Sequence, residues 1–355
     1  MPLPTEPIGS IPRPEELLQA IAAFSKREIN QKELNAEYEK AVRDTIAEFE
    51  KTDSPVITDG EQTKPSFATY PLDQLTNLAP DGVVIPFEDG HTRQLPRLLT
   101  GPFQYKTYAG SYLNFAKKFA HRPVKQAVIA ASALSLIYPE TGIPGYNREA
   151  FIHDLVKNAV ADIRSCFDSG AEKVQIDFTE GRLAVKLDPS KGLLHSFIDL
   201  NNRVLSHFSP AERQRIGVHT CPGGDLDSTH SGDVDYSELI PDLFRLNAGN
   251  FYMELAGEKD PEHVLSIVRD NLKDGMRVFV GVIDVINPGI ETPDQVCEQT
   301  LLAAKYIPVE QLGTTDDCGF SPFGDDQSTA RETAFAKIRS RVEGTKMASK
   351  ELNLN

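Results

Sequence analysis

The strongest constraint on the fold of this chain is an alternation. Short apolar runs of β type recur along it, and longer amphipathic stretches separate most neighbours. Strands are predicted at 55–59 (PVITD), 126–131 (QAVIAA), 173–178 (KVQIDF), 215–220 (RIGVHT), 250–255 (NFYMEL) and 277–284 (RVFVGVID), with weaker ones at 8–10 (IGS) and 311–315 (QLGTT). The stronger runs are continuously apolar rather than alternating, as parallel strands covered on both faces require. The spacers carry a helical period. Leu34, Tyr38, Val42, Ile46 and Phe49 share one face of a helix at 31–50, and Phe151, Leu155, Ala159, Ile163 and Phe167 share one face at 148–168. Further helices are predicted at 193–208, 262–273 and 293–306, the last with Thr292 as N-cap and Pro293 in its first turn. Strands separated in this way by helices close most simply as an α/β fold, a single (β/α)8 TIM barrel. An open doubly wound sheet is the alternative, but no GxGxxG follows the first strand.

The expected organisation is one catalytic domain over 1–355, since barrels often reach this length undivided. Residues 83–112, with Asp89-Gly90 between β-like runs, read as a β-hairpin inserted near the barrel mouth. Residues 326–348, with Ala330, Ala334, Ile338 and Val342 at spacings of four, read as a closing helix; a partner-binding helix is the other reading. Lys plus Arg number 37 against 52 Asp plus Glu, a net charge of −15, which argues against a nucleic-acid partner. No apolar run reaches the roughly 18 residues of a membrane helix. The N-terminus MPLPTEPIGS has neither a basic start nor an apolar stretch, so no secretion signal is expected. Four cysteines do not make a disulfide framework in a chain this long. The expected setting is therefore a reducing cytoplasm, and assembly into a homo-oligomer stays open.

In a barrel, chemistry sits at the C-terminal ends of the strands. Here those ends read Ile8-Gly9-Ser10, Asp59-Gly60-Glu61, Ala131-Ser132, Asp177, His219-Thr220-Cys221, Glu254, Asp284 and Asp316-Asp317-Cys318-Gly319. His219 and Cys221 stand at i and i+2, so both side chains point the same way on extended backbone. An imidazole and a thiolate converging like this suit Zn²⁺. Cys318 and Glu254, at other strand ends, complete a candidate set of His219, Cys221, Glu254 and Cys318. A core histidine beside an unrelated thiol is the competing reading. Cys166 and Cys297 fall on apolar helix faces and read as small core residues. Zinc held by sulfur ligands lowers the pKa of an incoming thiol and leaves it nucleophilic, which favours alkyl transfer to sulfur over hydrolysis. Glu61 and Asp177 are candidate catalytic carboxylates. They would hold the ammonium of an amino-acid substrate, act as an acid–base pair, or merely cap helices and pair with nearby cations. Gly9 and Ser10 offer backbone N–H groups to a carboxylate, or form a simple turn.

Taken together, these pieces resemble the C-terminal catalytic barrel of the cobalamin-independent methionine synthase family, and especially its short stand-alone members. The matching segments, in family order, are Ile8-Gly9-Ser10, Asp59-Gly60-Glu61, Gln175-Ile176-Asp177, His219-Thr220-Cys221, Glu254, Gly281-Val282-Ile283-Asp284 and Asp317-Cys318-Gly319. The resemblance implies zinc bound by His219, Cys221, Glu254 and Cys318. It also implies homocysteine bound by Ile8, Gly9, Ser10, Glu61 and Asp177, and methyl transfer to its thiol to form methionine.

The departures fall on the methyl-donor side. The family's second, N-terminal half is absent. The chain has no Trp, on which the family stacks its pterin; Tyr105, Tyr108 or Tyr138 would have to substitute. Ile286 stands where the family has a histidine assigned to proton delivery, and Phe178-Thr179 replace a Glu-Pro after Asp177. A methylated folate, a methylated corrinoid protein or another small methyl compound would serve as donor. Two other readings remain: a zinc enzyme of the epoxyalkane:coenzyme M transferase type, and a non-catalytic sensor barrel.

Overall fold

The computed structural model describes residues 1–354. Six strands form one parallel sheet in chain order: β1 (Gln126–Ile129), β2 (Val174–Asp177), β3 (Ile216–Thr220), β4 (Asn250–Met253), β5 (Arg277–Gly281) and β6 (Leu312–Thr315). Every residue in them is buried except Arg277, which is why these strands read as unbroken apolar runs.

The two remaining ring positions are thinner than expected. No ladder forms at 8–10 or 55–59. Thr5 instead makes a single parallel bridge to Thr314 on β6, and Ile57 makes one to Val124 just before β1. Ile11 N donates to Gly60 O at 3.0 Å and Thr58 Oγ1 to Gly9 O at 2.7 Å, so the two segments also meet each other. Pro4, Pro7, Pro55 and Pro123 flank these bridges. Proline has no N–H to donate, so the ladders stop after one rung.

Helices cover the outside. Those that matter below are α1 (Glu15–Ser25), α2 (Gln31–Lys51), α3 (Arg148–Asp168), α4 (Glu180–Leu187), α5 (Gly192–Leu205), α6 (Pro261–Asn271), α7 (Pro293–Ala303) and α8 (Arg331–Glu351). Asn30 and Glu33 close a capping box at the start of α2, and Thr292 and Gln295 one at the start of α7. The last helix begins five residues later than its periodicity predicts. Asp326 Oδ1 first accepts from Ser328 N and Oγ, forming a turn that delays the helix. Among the described residues no helix is long and apolar enough to cross a membrane.

The inserted hairpin pairs Val84–Pro86 with Thr92–Gln94 around Gly90, whose φ of +94° needs glycine. Its predicted range extends too far, because Gly110–Ala116 is a short helix. Arg93 fastens the hairpin to Asp225 and Asp325, in the loops beyond β3 and β6.

Inside the ring, Tyr252 and Phe279 stack with centroids 4.7 Å apart. Gly217 and Gly313 make room for them: a Cβ at either would lie 2.3 and 2.5 Å from those rings. Below the stack, Glu6 lies between Lys173 at 2.6 Å and Lys125 at 3.8 Å. This layer is the floor of the site described next.

Candidate metal centre and substrate pocket

Parallel register decides what meets at the mouth. Asp177, the last residue of β2, pairs with His219 on β3. Cys221 follows β3 directly, and Cys318 lies three residues beyond β6. Their sulfurs are 3.3 Å apart. One ligand atom each from His219, Cys221 and Cys318 lies within 4.8 Å of the others, and all three residues are buried.

The donor set fits a metal ion on an observation of its own. Both ring nitrogens of His219 are buried without a hydrogen-bond partner. Leaving such groups unmet costs about 1–3 kcal/mol each. Two sulfurs bound to one tetrahedral zinc at about 2.3 Å would stand roughly 3.8 Å apart, close to the separation here. Hydrogen bonding to Cys318 and burial push the Cys221 thiol up, while the same bond pulls Cys318 well below the ordinary thiol range. Gly223 N–H also points at Cys221 Sγ, at 3.4 Å.

Glu254, the fourth expected ligand, stands apart from this trio. It directly follows β4, and its Oε2 accepts from Arg182 Nη1 at 3.0 Å. Arg182 also binds Glu258 at 2.6 Å. The backbone beyond Glu254 is pinned by Asp317, whose carboxylate accepts from the N–H groups of Leu255, Ala256 and Gly257 at 2.9, 3.0 and 2.7 Å. Burial, reinforced by Asp317, pushes the Glu254 carboxyl well up, against the pull of Arg182.

A narrow pocket opens on the trio. Ile8, Gly9, Ser10, Glu61 and Asp177 line it together with Gln175, His219 and Cys318. Ser10 Oγ accepts from Ser321 N at 3.1 Å and occupies the space a Cβ on Gly319 would need. Gln175 Nε2 donates to Asp177 Oδ1 at 2.7 Å. Burial, helped by Glu61, raises the Asp177 carboxyl to about 6, although His219 opposes the shift. Glu61 Oε1 accepts from Lys64 at 2.8 Å, so the plain reading of Glu61 as a lysine partner holds for one of its oxygens. Burial works against the Lys64 charge, but Glu61 and Asp59 outweigh it and hold the ammonium protonated.

Phe67, Thr179, Gly223 and Gly224 are common walls to this pocket and to a cavity of about 800 Å³ under the hairpin. Tyr38 of α2, Phe67, Phe87 and Phe323 supply aromatic walls of that cavity. None of the three tyrosines expected to stack a donor lines it: Tyr105 packs on Phe103, Tyr108 on Tyr105, and Tyr138 on Phe151. The aromatic surface comes instead from Tyr38 on α2, from the insert and from loops, whose positions strand periodicity does not report.

Residues 3–346 match the model of the family described as cobalamin-independent synthase, catalytic domain. The chain belongs to this family. Similar relatives include the methionine synthase of Sulfurisphaera tokodaii, 23% identical over 353 residues, covering 99% of this chain and 94% of that protein. Two solved structures share the fold. A B12-independent methionine synthase from Shewanella sp. W3-18-1, in complex with selenomethionine, has a TM-score of 0.77 and 20% identity over all of both chains. A putative vitamin-B12 independent methionine synthase from Listeria monocytogenes has a TM-score of 0.72 and 20% identity, covering 99% of this chain and 98% of that one.

Set in this family's barrel, several residues stand out that the strand-end reading passed over. Lys64 carried a local signal, three residues after Glu61. Arg182 did not: it is separated by 72 residues from Glu254. His230 lines the large cavity at 6% exposure, and nothing in its sequence context points there. Cys166 and Cys297 are buried in α3 and α7, away from the trio.

Proposed function

We propose that this protein transfers a methyl group to the thiol of homocysteine, forming methionine, with a reduced folate of the 5-methyltetrahydrofolate type as donor. The observation that carries the reading is the partnerless His219 imidazole beside two close thiols, opening onto a pocket that also holds Asp177 and Glu61. A zinc ion held by His219, Cys221 and Cys318, with the Glu254 oxygen not bonded to Arg182 turning in as fourth ligand, would keep a substrate thiol ionised at neutral pH. Asp177 and the Glu61 oxygen not taken by Lys64 bind the ammonium of homocysteine. Backbone at Ile8–Ser10 receives its carboxylate. These contacts aim the sulfur at the junction with the large cavity, where Thr179 and Gly223 line both spaces. The sulfur then attacks the methyl carbon in line: the S–C bond forms, the bond to the donor nitrogen breaks, and that nitrogen takes up a proton.

A thiol bearing a sulfonate, as in the coenzyme M reaction, would bring an anion against Asp177 and Glu61, which disfavours it. A reducing cytoplasm suits two free thiols at 3.3 Å, which oxidation would join. The test is to incubate the zinc-loaded protein and homocysteine with 5-methyltetrahydrofolate or with a methylated corrinoid, and to score methionine by mass spectrometry. Methionine from the folate supports the reading. Methionine from the corrinoid alone replaces the donor, and none from either leaves a binding barrel.

A further inference from the structure

The large cavity has three cationic side chains in its wall, and all are engaged. Arg13 donates to the carbonyls of Phe323, Glu61 and Lys64 at 3.3, 2.8 and 2.6 Å. Arg93 is shared between Asp225 and Asp325. Lys64 holds Glu61 and, at 2.9 Å, Ala127 O, and faces the Tyr70 ring at 4.7 Å. Among the described residues lining the cavity, each of these cations is thus already bonded, Lys64 and Arg93 to carboxylates and Arg13 to backbone carbonyls.

Among the polar side chains of the wall, His230 stands beside Gly223, which also lines the thiol pocket, and it keeps one ring nitrogen without a partner. His230 is 6% exposed, and its ring lies where a Cβ on Gly223 would sit, with Nε2 only 1.8 Å from that position. Phe87 of the hairpin meets the ring edge-on at 5.5 Å. Ser231 Oγ is placed to donate to Pro222 O at 3.0 Å, and with its hydrogen used there it accepts from His230 Nδ1, 2.9 Å away. In that arrangement Nδ1 carries the proton and Nε2 the lone pair. Burial, with Lys186 and Arg182 nearby, lowers the imidazole to about 4, consistent with a neutral ring. No protein group bonds to Nε2, and the residue forms part of the cavity wall where it adjoins the thiol pocket.

We propose that His230 Nε2 is the hydrogen-bond acceptor that recognises an N–H on the uncharged ring of the methyl donor, whose charged tail stays outside the cavity. This rests on the folate reading above and adds what that reading leaves open: which atom selects the ring, and why the tail is not read. His230 is a positioning residue for the donor, and as a neutral acceptor it does not replace the proton-delivering histidine whose place Ile286 takes.

The test uses the zinc-loaded wild type, H230Q and H230F, titrated calorimetrically with 5-methyltetrahydrofolate carrying one or three glutamates. Zinc content and homocysteine affinity are measured alongside. For wild type, the two forms are expected to bind within threefold of each other. H230F, which keeps an aromatic ring over Gly223 but no acceptor, should weaken both by about tenfold, the worth of one hydrogen bond. H230Q should recover most of that loss, with zinc and homocysteine binding unchanged in both variants. The proposal is overturned if H230F binds donor like wild type, if H230Q binds no better than H230F, or if three glutamates bind more than tenfold tighter than one. Should H230F lose zinc, the tail comparison in wild type and the affinity of H230Q decide it. If wild type binds neither folate, the donor reading itself fails and this inference falls with it.

Discussion

Glu180 gives the sharpest electrostatic test of the site's surroundings. It opens α4, three residues after Asp177, at 6% exposure. One carboxylate oxygen accepts from Ser132 Oγ and the other, Oε2, is buried without a partner. Burial pushes its carboxyl from an ordinary 4.5 to about 7, against the pull of the Ser132 bond. Between those two values the folded protein holds a proton that the unfolded chain has released. Stability is therefore complete below pH 4.5, falls as pH rises towards 7, and is flat above it. The gap at about 1.4 kcal/mol per pH unit amounts to about 3 kcal/mol, of which about 1 is already lost by pH 5. E180Q is neutral throughout and keeps an acceptor for Ser132. Its stability relative to wild type should rise by about 2 kcal/mol between pH 5 and pH 8, read from urea unfolding at both values. A difference between the two proteins that stays constant to within about 0.5 kcal/mol over that range would refute the argument.

Three other outcomes are expected. C318A and H219A should each lose zinc to a chelator concentration that leaves wild type loaded; unchanged stoichiometry by mass spectrometry of the metal would sink the ligand assignment. Asp177→Asn should raise the KM for homocysteine about tenfold while kcat moves less than threefold, and the opposite split would instead assign Asp177 to proton transfer. Gly223→Ala places a Cβ 1.8 Å from His230 Nε2 on backbone with φ +74°, so it should cost about 2 kcal/mol or more in urea unfolding. A G223A protein as stable as wild type would mean that the His230 ring is not seated on this loop.

The sequence reveals what burial on both faces dictates. Five of the six stronger apolar runs appear as strands of one sheet, because a strand covered on both sides leaves a largely apolar run, and the sixth strand is the weaker run at 311–315. The 8–10 and 55–59 positions were legible as places in the ring but not as ladders, since prolines beside them cut the pairing to single bridges at Thr5 and Ile57. His219, Cys221 and Cys318 were legible because strand ends converge by topology, and the structure brings all three together. Glu254 was legible as a position, but its salt bridge to Arg182 was not. Ion pairs between distant loops leave no local periodicity, and the same holds for Arg93 and its two aspartates. The tyrosine expectation failed for a related reason. Tyr105 and Tyr138 are core residues with their own aromatic neighbours, while Tyr38, Phe67, Phe87 and Phe323 line the cavity.

This division between what strands and loops encode also explains where the chain departs from its family. The groups to which the proposed function gives a cation and an amino acid sit at or just beyond strand ends, where register fixes them to within one residue: Asp177 opposite His219, with Cys221 two residues on. A slip there would turn each side chain to the other face, so substitution is poorly tolerated. The large cavity is held differently. Its walls come from α1, Tyr38 of α2, residues 64–69, the hairpin, and the loops after β3 and β6, joined by Arg93 and by Phe87 against His230. Loops on a rigid barrel can exchange an aromatic wall or a polar contact without moving a strand. The absence of tryptophan therefore says little about the thiol side. On the proposed function, these loops are the part of the molecule free to accept a different methyl donor while the strand ends beneath stay fixed.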